Sequence, residues 1–344
     1  MKRSALVIAT LVLGAVACDG SAGDGKNANS TPSAKAKPPV TADEARRILK
    51  DLDKKDDSDS LSPAYWRKVH EGPWLDRTLA RVDNIKKLGK DDSSLDPTNR
   101  PHLDPAVHAW VAKPASESSG DWILGAQQVS SHTIGGEFKN KASMYWSLSH
   151  RGDAGGAWRT AFTAYAPKKK DLPQVAADKS GRVRTVAPNA DLAVQPGKAC
   201  GVFLDYITRK DTDEKLQWSS QIDTYRATHG DTKPASKQLN NPESVELRAE
   251  GQRTPIGPAW QTKDGGALVA CVGMNTAAAD MGAGRWIKFT TSGWDGTTGI
   301  RWNKFTQTMM TMIVLNVPAD GAEISIAAQT TWPYKFDGTK YNGA

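Results

Sequence analysis

At Val107 the apolar residues change their period from three-and-four to two, and from there the chain breaks into short runs that suit a sheet rather than helices. The runs 108–112, 122–132, 142–150 and 157–166 are rich in β-branched and aromatic residues. The stretch Arg151, Gly152, Asp153, Ala154, Gly155, Gly156 has the glycines and aspartate of a hairpin turn between the last two. Before Val107 the spacing is helical. Thr41 is placed to cap a helix, with Glu44 three residues on in a capping-box arrangement, and Ala45, Ile48, Leu49 and Leu52 form one apolar face. A second helical stretch covers residues 63–88, with a bend expected at Gly72 and Pro73.

The second half repeats this order. A helical segment over 196–210 places Val202, Phe203, Tyr206 and Ile207 on one side, and a short piece follows near 221–227. Strands are expected at 245–250, 258–262, 267–276, 287–291, 306–317 and 323–331, the last two joined at Pro318, Ala319, Asp320 and Gly321. The hairpins ASMYWSLSHRGDAGGAWRTAFTAYA and TMMTMIVLNVPADGAEISIAAQTTW hold equivalent places in the two halves. The expected fold class is therefore α+β: two tandem domains, each with helices packed on a bent antiparallel sheet, in a cystatin-like or NTF2-like layout. Residues 41–170 would form the first domain, 171–190 a linker, 191–338 the second domain and 339–344 a tail.

The N-terminus sets the compartment. Lys2 and Arg3 precede the apolar run 5–17, which is too short to span a bilayer and matches the core of a signal peptide. The run ends in Ala15, Val16, Ala17 and Cys18, small side chains before a cysteine, as lipoprotein processing requires. Cys18 would be acylated and become the first mature residue, although Ala15 stands where such signals usually carry leucine. The alternative is an ordinary secretory signal cut after Ala17. Residues 19–40 are rich in Gly, Ser, Ala, Asn, Lys and Pro, without a large apolar residue to seed a core, and read as a flexible tether.

Of 344 residues, 38% are hydrophobic and 24% charged, as in an ordinary globular body. The formal net charge of +7 falls to +5 once Lys2 and Arg3 leave. The only basic run is Lys168, Lys169 and Lys170 beside Pro167, a solvated loop, so nucleic acid is not an expected partner. With Cys18 lipidated, Cys200 and Cys271 remain, and in an oxidising compartment they are expected to form a disulfide; the alternative is two buried thiols packed as small apolar groups. For the bond to form, the face of the 267–276 strand carrying Val269 and Cys271 must lie under the helix that carries Cys200.

No constellation for chemistry emerges. The six histidines (His70, His102, His108, His132, His150 and His229) show no metal-ligand spacing, so neither a metal nor another cofactor is expected. Asp51, Asp53, Asp56, Asp57 and Asp59 invite a calcium-loop reading, but the turn glycine and closing glutamate of an EF-hand are missing, and the stretch reads as a solvated helix end. There is no G-x-S-x-G, and the glycines around Asp153, Asp264 and Asp295 assign those carboxylates to turns. Tryptophan is the unusual residue, with twelve copies. Trp110, Trp122, Trp146, Trp158, Trp260 and Trp332 are expected to fill cores. Trp286, Trp294 and Trp302, close to Arg285 and Arg301, form a candidate binding surface for a sugar ring, peptide or partner.

The cysteine-bearing signal and tether, the segments TADEARRILKDL, EGPWLDRTLARVD and DGGALVACVGMNT, and the closing MIVLNVPADGAEISIAAQTTW together resemble an uncharacterised group of actinobacterial lipoproteins defined by a domain of unknown function. The resemblance implies a surface location and carries no activity with it. The expectation is a lipid-anchored, non-enzymatic module on the outer face of the cell membrane that binds an envelope protein or polymer. The other reading is a small-molecule carrier, or an enzyme, using a pocket in one α+β domain.

Overall fold

The computed structural model describes residues 40–88, 102–113, 121–130, 144–152, 156–166, 172–208, 216–229, 242–289, 297, 299–319 and 321–342. Three helices open it: α1 (Ala42–Asp56), α2 (Pro63–Val69) and α3 (Gly72–Leu88). Four strands follow, β1 (His102–Lys113), β2 (Asp121–Ser130), β3 (Met144–Arg151) and β4 (Arg159–Ala166), and then β5 (Arg182–Val186). A single 3-10 turn leads into α4 (Ala199–Ile207), and α5 (Ser220–His229) comes next. The remaining strands are β6 (Ser244–Gly251), β7 (Ala259–Gln261), β8 (Ala267–Asp280), β9 (Ile287–Lys288), β10 (Arg301–Val317) and β11 (Ser325–Lys340).

Several local expectations are observed directly. The Thr41 hydroxyl accepts from the Glu44 amide at 3.2 Å, and α1 buries Ala45, Leu49 and Leu52. The helix break falls at His70 and Glu71, one residue before the expected Gly72, which has φ +51°.

The expected architecture is overturned. All eleven strands among the described residues belong to one sheet, and nine of them close it: β8, β7, β5, β1, β2, β3, β4, β11 and β10, with β10 returning to β8. β6 and β9 are additions on the edges of β8 and β10. This is a closed β-barrel with short helices outside, not two tandem helix-on-sheet units. The proposed linker contains β5, which runs parallel to β1 on one side and antiparallel to β7 on the other and so joins the halves. The two hairpins taken as repeats, β3–β4 and β10–β11, are neighbours across the β4–β11 seam.

The physical reason lies in the apolar faces. On β8, Leu268, Ala270 and Val272 point into the barrel while Ala267, Val269 and Cys271 point out beneath α4, and all six are buried. β10 does the same with Met310, Met312 and Val314 inside and Ile313, Leu315 and Val317 outside. A few short helices can cover only one such face. Rolling the sheet up buries the other and removes most exposed strand edges. The inside is then filled by bulky groups: Trp146, Phe162, Trp260, Met310 and Met312 are at most 3% exposed, and burying a side chain of this kind contributes about 2–3 kcal/mol. The space left among Leu124, Trp146, Phe162, Trp260 and Leu268 is about 10 Å³, at or below what one water needs.

Outside, α1 and the preceding Val40 lie on β1 and β2, with Val40, Ala45 and Leu49 against Val107, Ala109 and Ile123. The helix approaches so closely that a Cβ on Gly125 would stand 2.7 Å from both a Leu49 methyl and Ser147 Oγ. α4 and α5 cover β8, β10 and the start of β11, and there Cys200 and Cys271 are joined by a disulfide with Cα atoms 5.3 Å apart.

Candidate functional site

The outer wall of β2, β3 and β4 carries an unusual polar patch. Because side chains alternate along a strand, Met144, Trp146 and Leu148 fill the barrel, while Tyr145, Ser147 and Ser149 face outward beside Gln127 of β2 and Thr160 of β4. α1 covers this patch. Asp53 follows the buried Leu49 by four residues and Asp56 follows Leu52 by four, so both carboxylates lie on the inward face of the helix. Together these residues line a small cavity of about 20 Å³.

Burial, followed by the charges of Asp57 and Asp56, pushes Asp53 up to about 7, and a hydrogen bond from Gln127 opposes this only in part. Tyr145 is raised well above its ordinary range, chiefly by burial and then by Asp56. Asp56 Oδ1 lies 2.6 Å from Nε2 of the buried His70, whose ring stacks on Trp66. His70 Nδ1 is 3.1 Å from Thr78 Oγ1, and the Thr78 hydroxyl donates to the Trp74 carbonyl at 2.9 Å. Ser149 Oγ lines the cavity fully buried and without a hydrogen-bond partner. The acidic stretch therefore divides. Asp51, Asp57 and Asp59 are exposed, as a solvated helix end requires, whereas Asp53 and Asp56 turn under the helix. The signal was the i, i+4 spacing of these two from Leu49 and Leu52.

The tryptophan surface is only partly realised. Trp286 is 40% exposed, and the Arg301 guanidinium carbon lies 4.5 Å from its ring centre. Arg285 adjoins it, and its carbonyl accepts from Asn303 Nδ2 at 2.9 Å. Trp302 is a correction: it is 1% exposed, its Nε1 donates to the Thr297 carbonyl at 3.3 Å, and its ring meets Phe336 edge-on in a small core with Phe305. That core needs a large ring at the end of β10, and burial of the indole outweighs exposure. Trp294 lies outside the described residues, as do Cys18, residues 19–39 of the tether, His132 and Lys168 to Lys170, whereas Val40 at the tether's end is buried. The six tryptophans expected in cores are there. Trp146 and Trp260 are buried, Trp110, Trp122 and Trp332 pack against the barrel core, and Trp158 packs beneath α1.

His108 stacks on Trp110, and His150 stacks on Trp122 with centroids 4.3 Å apart and Nδ1 2.5 Å from Glu71. Among the described residues no group of three or more His, Cys, Asp and Glu side chains is arranged to hold a metal. No helix among them is long and apolar enough to cross a membrane.

Fold and site together define a class: a closed nine-stranded barrel with a filled interior and its polar groups on the outer wall, under helices. The family model of a domain of unknown function, DUF8094, matches residues 36–332, and the chain belongs to that family. No curated protein and no solved structure matches it.

Proposed function

We propose that the protein is a lipoprotein held on the outer face of a cell membrane through Cys18, and that it acts as a non-enzymatic binding module for an envelope protein or polymer. The observation that carries this reading is the N-terminal sequence itself: two basic residues, a short apolar run, small residues, then Cys18 and a polar tether. Two acyl chains are enough for stable attachment. The Cys200–Cys271 bond supports an oxidising compartment. The packed barrel supports binding at the outer surface, since a carrier needs a cavity and the interior keeps only about 10 Å³. Trp286 with Arg301 is the aromatic and cationic pair we assign to the contact.

The test expresses the full chain with its own signal in a bacterium that acylates lipoproteins and feeds it a clickable palmitate. The wild type should take the label and fractionate with membrane, and Cys18→Ala should be unlabelled and either soluble or unprocessed. A mature-sized Cys18→Ala protein that stays in the membrane fraction would overturn the anchor. Surface crosslinking of the anchored protein then tests the binding face: a partner recovered equally well with Trp286→Ala removes Trp286 from it.

A further inference from the structure

Among the described residues, the cavity between α1 and the outer wall of β2–β4 brings together two half-buried carboxylates, an unpartnered hydroxyl and space. Its polar lining consists of the carboxylates of Asp53 and Asp56, the Gln127 amide, which bonds to Asp53, and the hydroxyls of Tyr145, Ser147, Ser149 and Thr160. No Lys or Arg lines it. The described ion pairs of Asp43 with Arg46 and of Asp51 with Lys55 lie on the solvent side of α1. His70 Nε2 lies 2.6 Å from Asp56 Oδ1 and is not part of the lining, so the imidazole neighbours Asp56 and not Asp53.

Two half-buried carboxylates that face one cavity are stabilised by a proton or a cation, because partial loss of water makes the charged form costly. Ser149 Oγ is an independent sign. A hydroxyl with no exposure and no partner within the chain is satisfied by a group the chain does not supply, a water or an ion.

We propose that this cavity is a binding site for one calcium ion, held by Asp53, Asp56 and the hydroxyl and amide oxygens of β2–β4. Carboxylate, hydroxyl and amide oxygens select a hard cation over zinc or copper, which favour imidazole and thiolate. About 20 Å³ holds one water or one bare ion of calcium size and has no room for the water shell that magnesium keeps. Two carboxylates among neutral oxygens give a modest charge count, which corresponds to the weak end of calcium affinity, Kd of order 10⁻⁴–10⁻³ M. Calcium would then pin the C-terminal end of α1 to the barrel wall. The EF-hand grammar is absent because the ligands come from one helix and three strands rather than from a single loop.

The test uses the full-length protein, extracted in detergent, stripped with EDTA and melted with added CaCl2 or with MgCl2 at matched ionic strength. The expected result is a rise in melting temperature with calcium that saturates by about 10 mM, is reversed by chelator and is absent with magnesium. Asp53→Asn and Ser149→Ala should each weaken the calcium response tenfold or more. Ser149→Ala removes a hydroxyl that bonds to nothing in the protein, so it keeps the test open if Asp53→Asn fails to fold. No calcium response in the wild type, an equal response to magnesium, or a response of wild-type size in either folded variant would overturn the site and leave a buried water there instead.

Discussion

The Arg77 guanidinium carbon lies 4.6 Å from the ring centre of Trp332 and 5.1 Å from that of Trp74, so a helix residue is clasped by one tryptophan of its own helix and one of strand β11. The contact sits where the barrel is thinnest. β10 and β11 pair along most of their length, whereas β4 and β11 share the single register pair Gln329 with Tyr165. α3 spans this seam, and Asn84 Nδ2 donates to the Tyr334 carbonyl at 3.2 Å.

Replacing Arg77 with Ala should therefore cost about 1–2 kcal/mol, the range for a partly desolvated cation–π contact. Melting should fall by about 2–4 °C per kcal/mol. The distinguishing readout is hydrogen exchange: amides of β4 and β11 near Tyr165 and Gln329 should exchange faster while those of β2 do not. A uniform change across the barrel would show that Arg77 does not act at the seam.

The disulfide closes a loop between cysteines 71 residues apart, and removing such a constraint costs about 4 kcal/mol in the chain-entropy account. Because β8 is a member of the closed circuit, Cys200→Ala with Cys271→Ala should lower one cooperative transition for the whole barrel. Calorimetry that resolved two transitions, with only the later one moved, would restore the two-domain picture.

Asp53 sets a pH dependence whose sign is opposite to that of an ordinary salt-bridged carboxylate. Its folded value of about 7 lies above the ordinary 3.8, so the folded state holds its proton more tightly than the unfolded chain does. That stabilisation is complete below pH 3.8 and is lost as pH rises through about 7. In metal-free buffer, denaturant unfolding should show the wild type losing stability relative to Asp53→Asn between pH 4 and pH 7, by an amount on the order of a few kcal/mol. Parallel profiles across that interval would show that Asp53 is not desolvated under α1.

Much of the local structure was legible in the residues. The Thr41 cap, the α2–α3 break, the hairpins at β3–β4 and β10–β11 and the helix-facing side of Cys271 all rest on interactions within a few residues or on strand alternation. Strand β5 escaped notice because its Arg182 and Arg184 interrupt any apolar pattern, and only its pairing with β1 and β7 makes it a strand. β11 runs on past its expected end at residue 331 because a bulge opposite Met309 accommodates Pro333, whose missing N–H would stop a regular central strand.

By itself the sequence determined the order and type of most elements and the cysteine pair, since each is written in contiguous residues, in a fixed period or in strand alternation. Only the tertiary structure decided that the strands of both halves share one closed barrel, that Trp302 turns inward, and that Asp53 and Asp56 meet Gln127 and Ser149 across a helix-to-sheet contact. Alternation specifies that a strand has two faces, and here both are apolar on β8 and β10. Which face meets a helix and which meets the rest of the sheet depends on how much cover the whole chain can supply.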